Sequence, residues 1–140
     1  MAADLEANCQ TVIDRLEQIE GLAPQVIDGY RQRLAERVNR ALEAFQVSLD
    51  PADLIREVSL FCERSDISEE IVRLKSHVQQ FREIMARAES SGRKLEFLTQ
   101  EMFRESNTIG SKANDVDISR HVVDVKAAIE RIREQVLNVE

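Results

Sequence analysis

The chain has 140 residues, of which 43% are hydrophobic and 32% are charged, and its formal net charge is −7. This balance is typical of one folded domain and excludes a disordered tail. The chain has only four glycines, two prolines and 4% aromatic residues, a composition that favours helices over strands. We therefore predict an all-α fold for residues 1–140, a helical bundle of about six helices with long antiparallel hairpins.

The same numbers restrict the function. An acidic chain is not an obvious nucleic-acid binder, because affinity for phosphates requires clustered cations. Cys9 and Cys62 are far apart in the sequence and no histidine is near them, so neither a zinc site nor a disulfide framework is predicted. The sequence contains no run of 18 apolar residues, so we predict no membrane-spanning segment.

The first two predicted helices form a hairpin. Helix one is expected over residues 2–20 with Gly21 as its C-terminal cap, and helix two is expected to begin near Pro24. The short break between them predicts an antiparallel hairpin over residues 1–46. Apolar residues recur at intervals of three and four along both helices: Leu5, Cys9, Val12, Leu16 and Ile19, then Ile27, Tyr30, Leu34, Val38, Ala41 and Phe45.

Four further helices follow. Asp50 and Pro51 are typical of a helix start, and Ser68 is the expected cap of the next helix. Residues 89–92 are predicted to form a loop, and the polar stretch 107–115 a second one that leads into helix six. The last helix carries an apolar seam that packs either within the chain or against another subunit: Ile118, Val122, Val125, Ile129, Ile132, Val136 and Val139.

Three internal stretches and the C-terminus carry a family resemblance. They read EVSLFCERSDISEEIVRLKSH (57–77), GRKLEFLTQEM (92–102), RESNTIGSKAND (104–115) and EQVLNVE (134–140). In this order they resemble the C-terminal helical half of the YicC-like family of bacterial endoribonucleases. The resemblance covers residues 50–140 well, as a family signature region, and the first two helices more loosely.

The resemblance implies an endoribonuclease that cleaves RNA phosphodiester bonds with a divalent metal, Mn²⁺ or Mg²⁺. It also implies a homo-oligomer, a hexamer, in the bacterial cytoplasm. Family members usually carry an N-terminal α/β half that this chain lacks, so the isolated chain is expected to be inactive if RNA binding needs both halves. Two other functions stay open: an oligomerisation and RNA-clamping module without chemistry of its own, and a helical adaptor with no nucleic-acid role.

His77 is the first candidate catalytic residue. It shares one helical stripe with Glu70 and Arg73, and imidazole exchanges protons near neutral pH, so it suits a general base toward a ribose 2′-hydroxyl. It also suits a metal ligand. Spacing alone favours a half-buried structural histidine. With the family resemblance added, the structural and the functional interpretations are equally favoured.

Glu101 and Glu105 lie one turn apart and face the same way if this segment is helical. Paired carboxylates bind Mg²⁺ or Mn²⁺, which makes them candidate catalytic and metal-binding residues. Spacing alone favours a solvated acidic edge, which pairs with Arg104 or with another helix.

Several cations in the middle of the chain are candidates for contacting the RNA backbone, if the fold brings them together. Ser111 and Lys112 belong to the polar stretch before helix six, where free amides at a helix start favour an anion. Solvated surface charges are the plainer interpretation. The predicted RNA-binding residues are Arg73, Lys75, Arg93, Lys94, Arg104, Ser111 and Lys112.

Overall fold

The computed structural model describes residues 2–48, 50–87 and 92–139, and within these ranges the chain forms five α-helices and no strand. The all-α class is confirmed, and the predicted count of about six helices is wrong. The predicted loop at 89–92 lies outside the described residues except for Gly92, where a helix begins. The helices are α1 (Ala2–Ala44), α2 (Pro51–Arg64), α3 (Ser68–Ala86), α4 (Gly92–Lys112) and α5 (Val116–Val139).

The first half of α1 forms a four-helix bundle with α3, α4 and α5, in which α1 contacts α5 and α3, and α4 contacts α3 and α5. Neighbouring helices run antiparallel. Arg131 on α5 bonds to Asn8 on α1, and Arg15 on α1 pairs with Asp124, so the start of α1 faces the end of α5. The side-chain hydrogen bonds between α3 and α1, and those between α3 and α4, show that these helix pairs are antiparallel as well.

One apolar core lies between these four helices. It includes the predicted stripe of α1 from Leu5 to Ile19, and the seam of the last helix from Ile118 to Val136. The seam from Ile118 to Val136 therefore packs within the chain and not against another subunit, the alternative that its spacing left open. No helix in the described ranges is long and apolar enough to cross a membrane.

The predicted hairpin over residues 1–46 is wrong, because α1 continues through Gly21 and Pro24 without a break. Interior glycine and proline cost a helix about 1 and 3 kcal/mol. The apolar stripe keeps its spacing beyond Ile19, and Leu22 and Val26 pack against the core. Burial of such side chains, worth about 1.5–3 kcal/mol each, offsets the local cost.

The chain reverses only after Ala44, and α2 packs back against the second half of α1. Gln46 adopts a left-handed conformation with φ of 54°, and the Val47 amide donates to the Leu42 carbonyl. Asp50 accepts a hydrogen bond from the Ala52 amide and caps α2, as predicted. We call the second half of α1, the turn at residues 45–48 and α2 together the arm.

The arm is less buried than the bundle. Tyr30 of α1 stacks on Phe61 of α2 with ring centroids 5.5 Å apart, and Val58 and Cys62 are its buried residues on α2. Apolar side chains elsewhere on the arm are open to solvent. They are Phe45, Val47, Ile55 and Leu60.

Most of the predicted polar loop at 107–115 is helical, because α4 continues to Lys112. The polar side chains are satisfied inside the helix, since the hydroxyl of Thr108 donates to the carbonyl of Arg104. Gly110 does not stop the helix. A Cβ atom there would lie 3.3 Å from Val122, so glycine permits close packing of α4 on α5.

Aspartate side chains accept hydrogen bonds from backbone amides at the starts of α3 and α5. Asp115 accepts from the Ile118 amide at the start of α5. At α3 the predicted cap, Ser68, is itself the donor, and its amide and hydroxyl both bond to Asp66. These hydrogen bonds to Ser68 hold the pKa of the Asp66 carboxyl below its usual value.

The continuity of α1 is testable with Gly21→Ala. We expect the free energy of unfolding to rise by about 0.5–1 kcal/mol, because alanine is the better helix former and a Cβ at position 21 meets nothing within 4 Å. Chemical denaturation measures the change. Gly110→Ala is the control and should gain less, since its Cβ crowds Val122. A loss of stability in Gly21→Ala would contradict a continuous α1 and would support the predicted hairpin.

Candidate functional site

The predicted catalytic residues meet where α3 packs antiparallel against α4. Glu101 and Glu105 are one turn apart on α4, and His77 faces them from α3. Each of the three offers one ligand atom, and these atoms all lie within 4.8 Å of one another. Glu105 is buried and the other two are half-buried. The structure therefore brings together the three residues that the sequence analysis selected.

The imidazole of His77 has an open position. Its Nδ1 atom is buried and has no hydrogen-bond partner among the described residues. Buried polar atoms of native proteins nearly always have a partner, and leaving one unsatisfied costs about 1–3 kcal/mol. One ring nitrogen of His77 lies within 4.8 Å of both carboxylates, an arrangement that fits a ligand position for a cation.

Each carboxylate of the cluster already has an arginine. The Nε of Arg73 donates to Oε1 of Glu105 at 3.0 Å. On the other side Arg104 lies 3.5 Å from Oε1 of Glu101, and its side chain is 74% exposed. The hydrogen bond to Glu105 is the largest of the effects that raise the pKa of Arg73, so this guanidinium stays charged.

Lys112 lies at the end of α4 and is not part of the cluster. Its ammonium group donates to Oε1 of Glu70 at 2.6 Å, and Arg73 lies 3.5 Å from the same oxygen. Glu70 is 2% exposed. Lys112 is thus connected to Glu105 through Glu70 and Arg73, in a row of alternating charges.

Glu70 is the residue whose place the sequence analysis missed. An acid in the first turn of a helix is usually explained by the helix dipole. The signal that could have revealed its burial is spacing, because Glu70 lies four residues before Leu74 and eight before Val78, on the buried stripe of α3.

The remaining predicted RNA-binding residues do not all share this surface. Lys75 lies on the other side of α3 from His77 and pairs with Glu20 of α1 at 2.9 Å. Arg93 and Lys94 are exposed in the first turn of α4, two turns before Glu101. Ser111 is exposed, and its hydroxyl donates to the carbonyl of Thr108.

The chain is similar to a known family and to curated proteins. The family "Endoribonuclease YicC-like, C-terminal" matches residues 19–140. A "Probable endoribonuclease YicC" of Clostridioides difficile is 41% identical over 140 residues, which is the whole of this chain and 47% of that protein. A protein of the same name from Haemophilus influenzae is 35% identical over 136 residues, which is 97% of this chain and 46% of that protein.

The chain thus spans about half the length of the curated relatives it matches. The matched region contains α2 to α5 and the part of α1 from residue 19, and with them the cluster of His77, Glu101 and Glu105. The chain belongs to the YicC-like endoribonuclease family, as its C-terminal domain.

Proposed function

We propose that this chain provides the metal-binding site of an endoribonuclease, with His77, Glu101 and Glu105 as ligands. One observation carries the proposal: the three ligand atoms lie within 4.8 Å of one another. The relatives are named probable endoribonucleases, which supports RNA as the substrate class. When bound, a divalent ion supplies charge neutralisation at the phosphate and lowers the pKa of a bound water.

The donor set favours Mn²⁺ over Mg²⁺. Mg²⁺ is bound almost entirely by oxygen and keeps much of its water, whereas a site with one imidazole and two carboxylates suits softer divalent ions. Two anionic ligands and one neutral ligand also match the charge of a divalent ion. We therefore choose Mn²⁺ as the probe for this site.

Electrostatics explain why an acidic chain needs such an ion. The net charge of −7 gives no general attraction for RNA. Around the cluster four carboxylates lie among three cations, so this local set carries a charge of −1 when His77 is counted as neutral. A divalent ion adds two positive charges at the place where a phosphodiester would lie. The charged members are Glu69, Glu70, Glu101, Glu105, Arg73, Arg104 and Lys112.

Cations on α4 are the better candidates for the RNA backbone. Arg93, Lys94 and Arg104 are exposed on the helix that carries Glu101. Arg73 and Lys112, in contrast, direct their charges at buried carboxylates. We therefore propose that Arg93, Lys94 and Arg104 contact phosphates, while Arg73 and Lys112 organise the cluster.

A metal-binding experiment tests the site directly. This chain should bind Mn²⁺ in isothermal titration calorimetry, and Glu101→Gln and Glu105→Gln should each weaken binding at least about tenfold, the loss typical of removing even an outer-shell partner. Glu96→Gln, the same substitution elsewhere on α4, is the matched control and should bind as the wild type does. Equal Mn²⁺ affinities in the wild type and all three variants would contradict the proposed metal site.

Cleavage tests the function. In a full-length family protein that carries this chain as its C-terminal half, we expect RNA cleavage to stop with EDTA and to fall in Glu101→Gln and Glu105→Gln. Because these variants bind the ion weakly, higher Mn²⁺ should restore part of their rate. A loss in His77→Gln that Mn²⁺ does not restore would assign His77 as the general base. Undiminished cleavage in EDTA would contradict metal assistance.

The exposed apolar residues of the arm favour a second function, a homo-oligomerisation and RNA-clamping module. Phe45 is 78% exposed and Ile55 is 65% exposed, a state that contact with another chain would relieve. The hexamer expected from the family resemblance would use such a surface.

Light scattering tests this second function. Ile55→Glu should dissociate the oligomer, because it places a charge in the apolar contact. Val72→Glu is the control, since Val72 is also 65% exposed but lies on α3, outside the arm. A monomeric wild type, or an unchanged mass in Ile55→Glu, would contradict oligomerisation through the arm.

A further inference from the structure

Glu70 is a carboxylate that the bundle buries almost completely. A buried charge costs several kcal/mol unless it is paired and hydrogen-bonded. Oε1 of Glu70 accepts from Lys112 and lies 3.5 Å from Arg73, while Oε2 is buried without a partner among the described residues. Only one of its two oxygens is therefore used, and that oxygen serves two cations.

Arg73 is shared among three carboxylates. Its Nε donates to Glu105 at 3.0 Å, its Nη2 lies 3.5 Å from Glu70, and its Nη1 lies 3.4 Å from Glu69. A guanidinium group commonly binds one carboxylate through two parallel hydrogen bonds. Here a single N–H reaches Glu105, because the other two nitrogens are directed elsewhere.

We propose that Glu70, anchored by Lys112, is a positioning residue that keeps Arg73 in this single-bond contact. The second oxygen of Glu105 is thereby left to the cluster of His77 and Glu101. Without the charge of Glu70, the guanidinium group turns to bind Glu105 through two hydrogen bonds and competes with the metal. The inference rests on the proposed metal site and adds the device that regulates access to it.

Glu69 provides a matched control within the same helix turn. It also pairs with Arg73, but its side chain is 84% exposed, against 3% for Glu70. Solvent and salt weaken an exposed ion pair far more than a buried one. Glu69→Gln and Glu70→Gln thus remove the same charge from the same arginine, and only the second should matter.

The test combines two measurements on the whole chain. Mn²⁺ affinity should fall about tenfold in Glu70→Gln, as expected for an outer-shell partner, and should stay unchanged in Glu69→Gln. In the metal-free protein, the NMR signal of the Arg73 Nε–H group should shift in Glu70→Gln only. In an Arg73→Met background the Glu70 substitution should have no effect on affinity, because the competitor is gone.

The outcomes separate the two proposals. If the wild type binds no Mn²⁺, the metal site and this inference both fail. If it binds Mn²⁺ and Glu70→Gln matches Glu69→Gln in affinity and in the Arg73 signal, only the role of Glu70 is overturned. Should circular dichroism show that Glu70→Gln is unfolded, Glu70→Asp keeps the charge, shortens its reach by one methylene and should change both readouts in the same direction.

Discussion

The register of α3 against α4 is the constraint on which the candidate site depends. His77 lies on α3 and both glutamates lie on α4. These side chains therefore come together at only one axial offset of the two helices. A slip by one helical turn is about 5.4 Å, more than the 4.8 Å that contains the ligand atoms. The offset is maintained by the shared core beneath the site, to which Leu74, Phe81 and Met102 belong.

Burial and charge act together above that core. Carboxylates that face a packed helix interface lose part of their hydration, and Glu70, Glu101 and Glu105 are each compensated by a nearby cation. Arg73 connects Glu105 to Glu70, and Arg104 accompanies Glu101. The pairs explain why acidic side chains are tolerated here. If the proposed metal site is occupied, the ion would compete with these ion pairs, and its affinity would depend on how firmly the arginines are held.

Local spacing predicted the helical faces but not their partners. The stripe of α1 up to Ile19, the seam of α5 and the shared face of Glu101 and Glu105 all follow from intervals of three and four, and the family resemblance added weight to His77. The break at Gly21 and Pro24 was wrong because packing against the core outweighs local helix preference. The burial of Glu70 and the pairing of Lys112 depend on how α3 and α4 meet, which periodicity does not specify.

The candidate site lies in the bundle, whereas the proposed oligomer contact lies on the arm. The bundle contains the apolar core, and the candidate site lies on two of its packed helices, which suits ligands that must stay within a few ångströms. The arm has little buried surface, and Ile55 and Leu60 remain exposed on α2. Association through the arm would therefore leave the register of α3 and α4 intact. Assembly and metal binding would then be separable by mutation, because no side chain of the ligand cluster lies on α1 or α2.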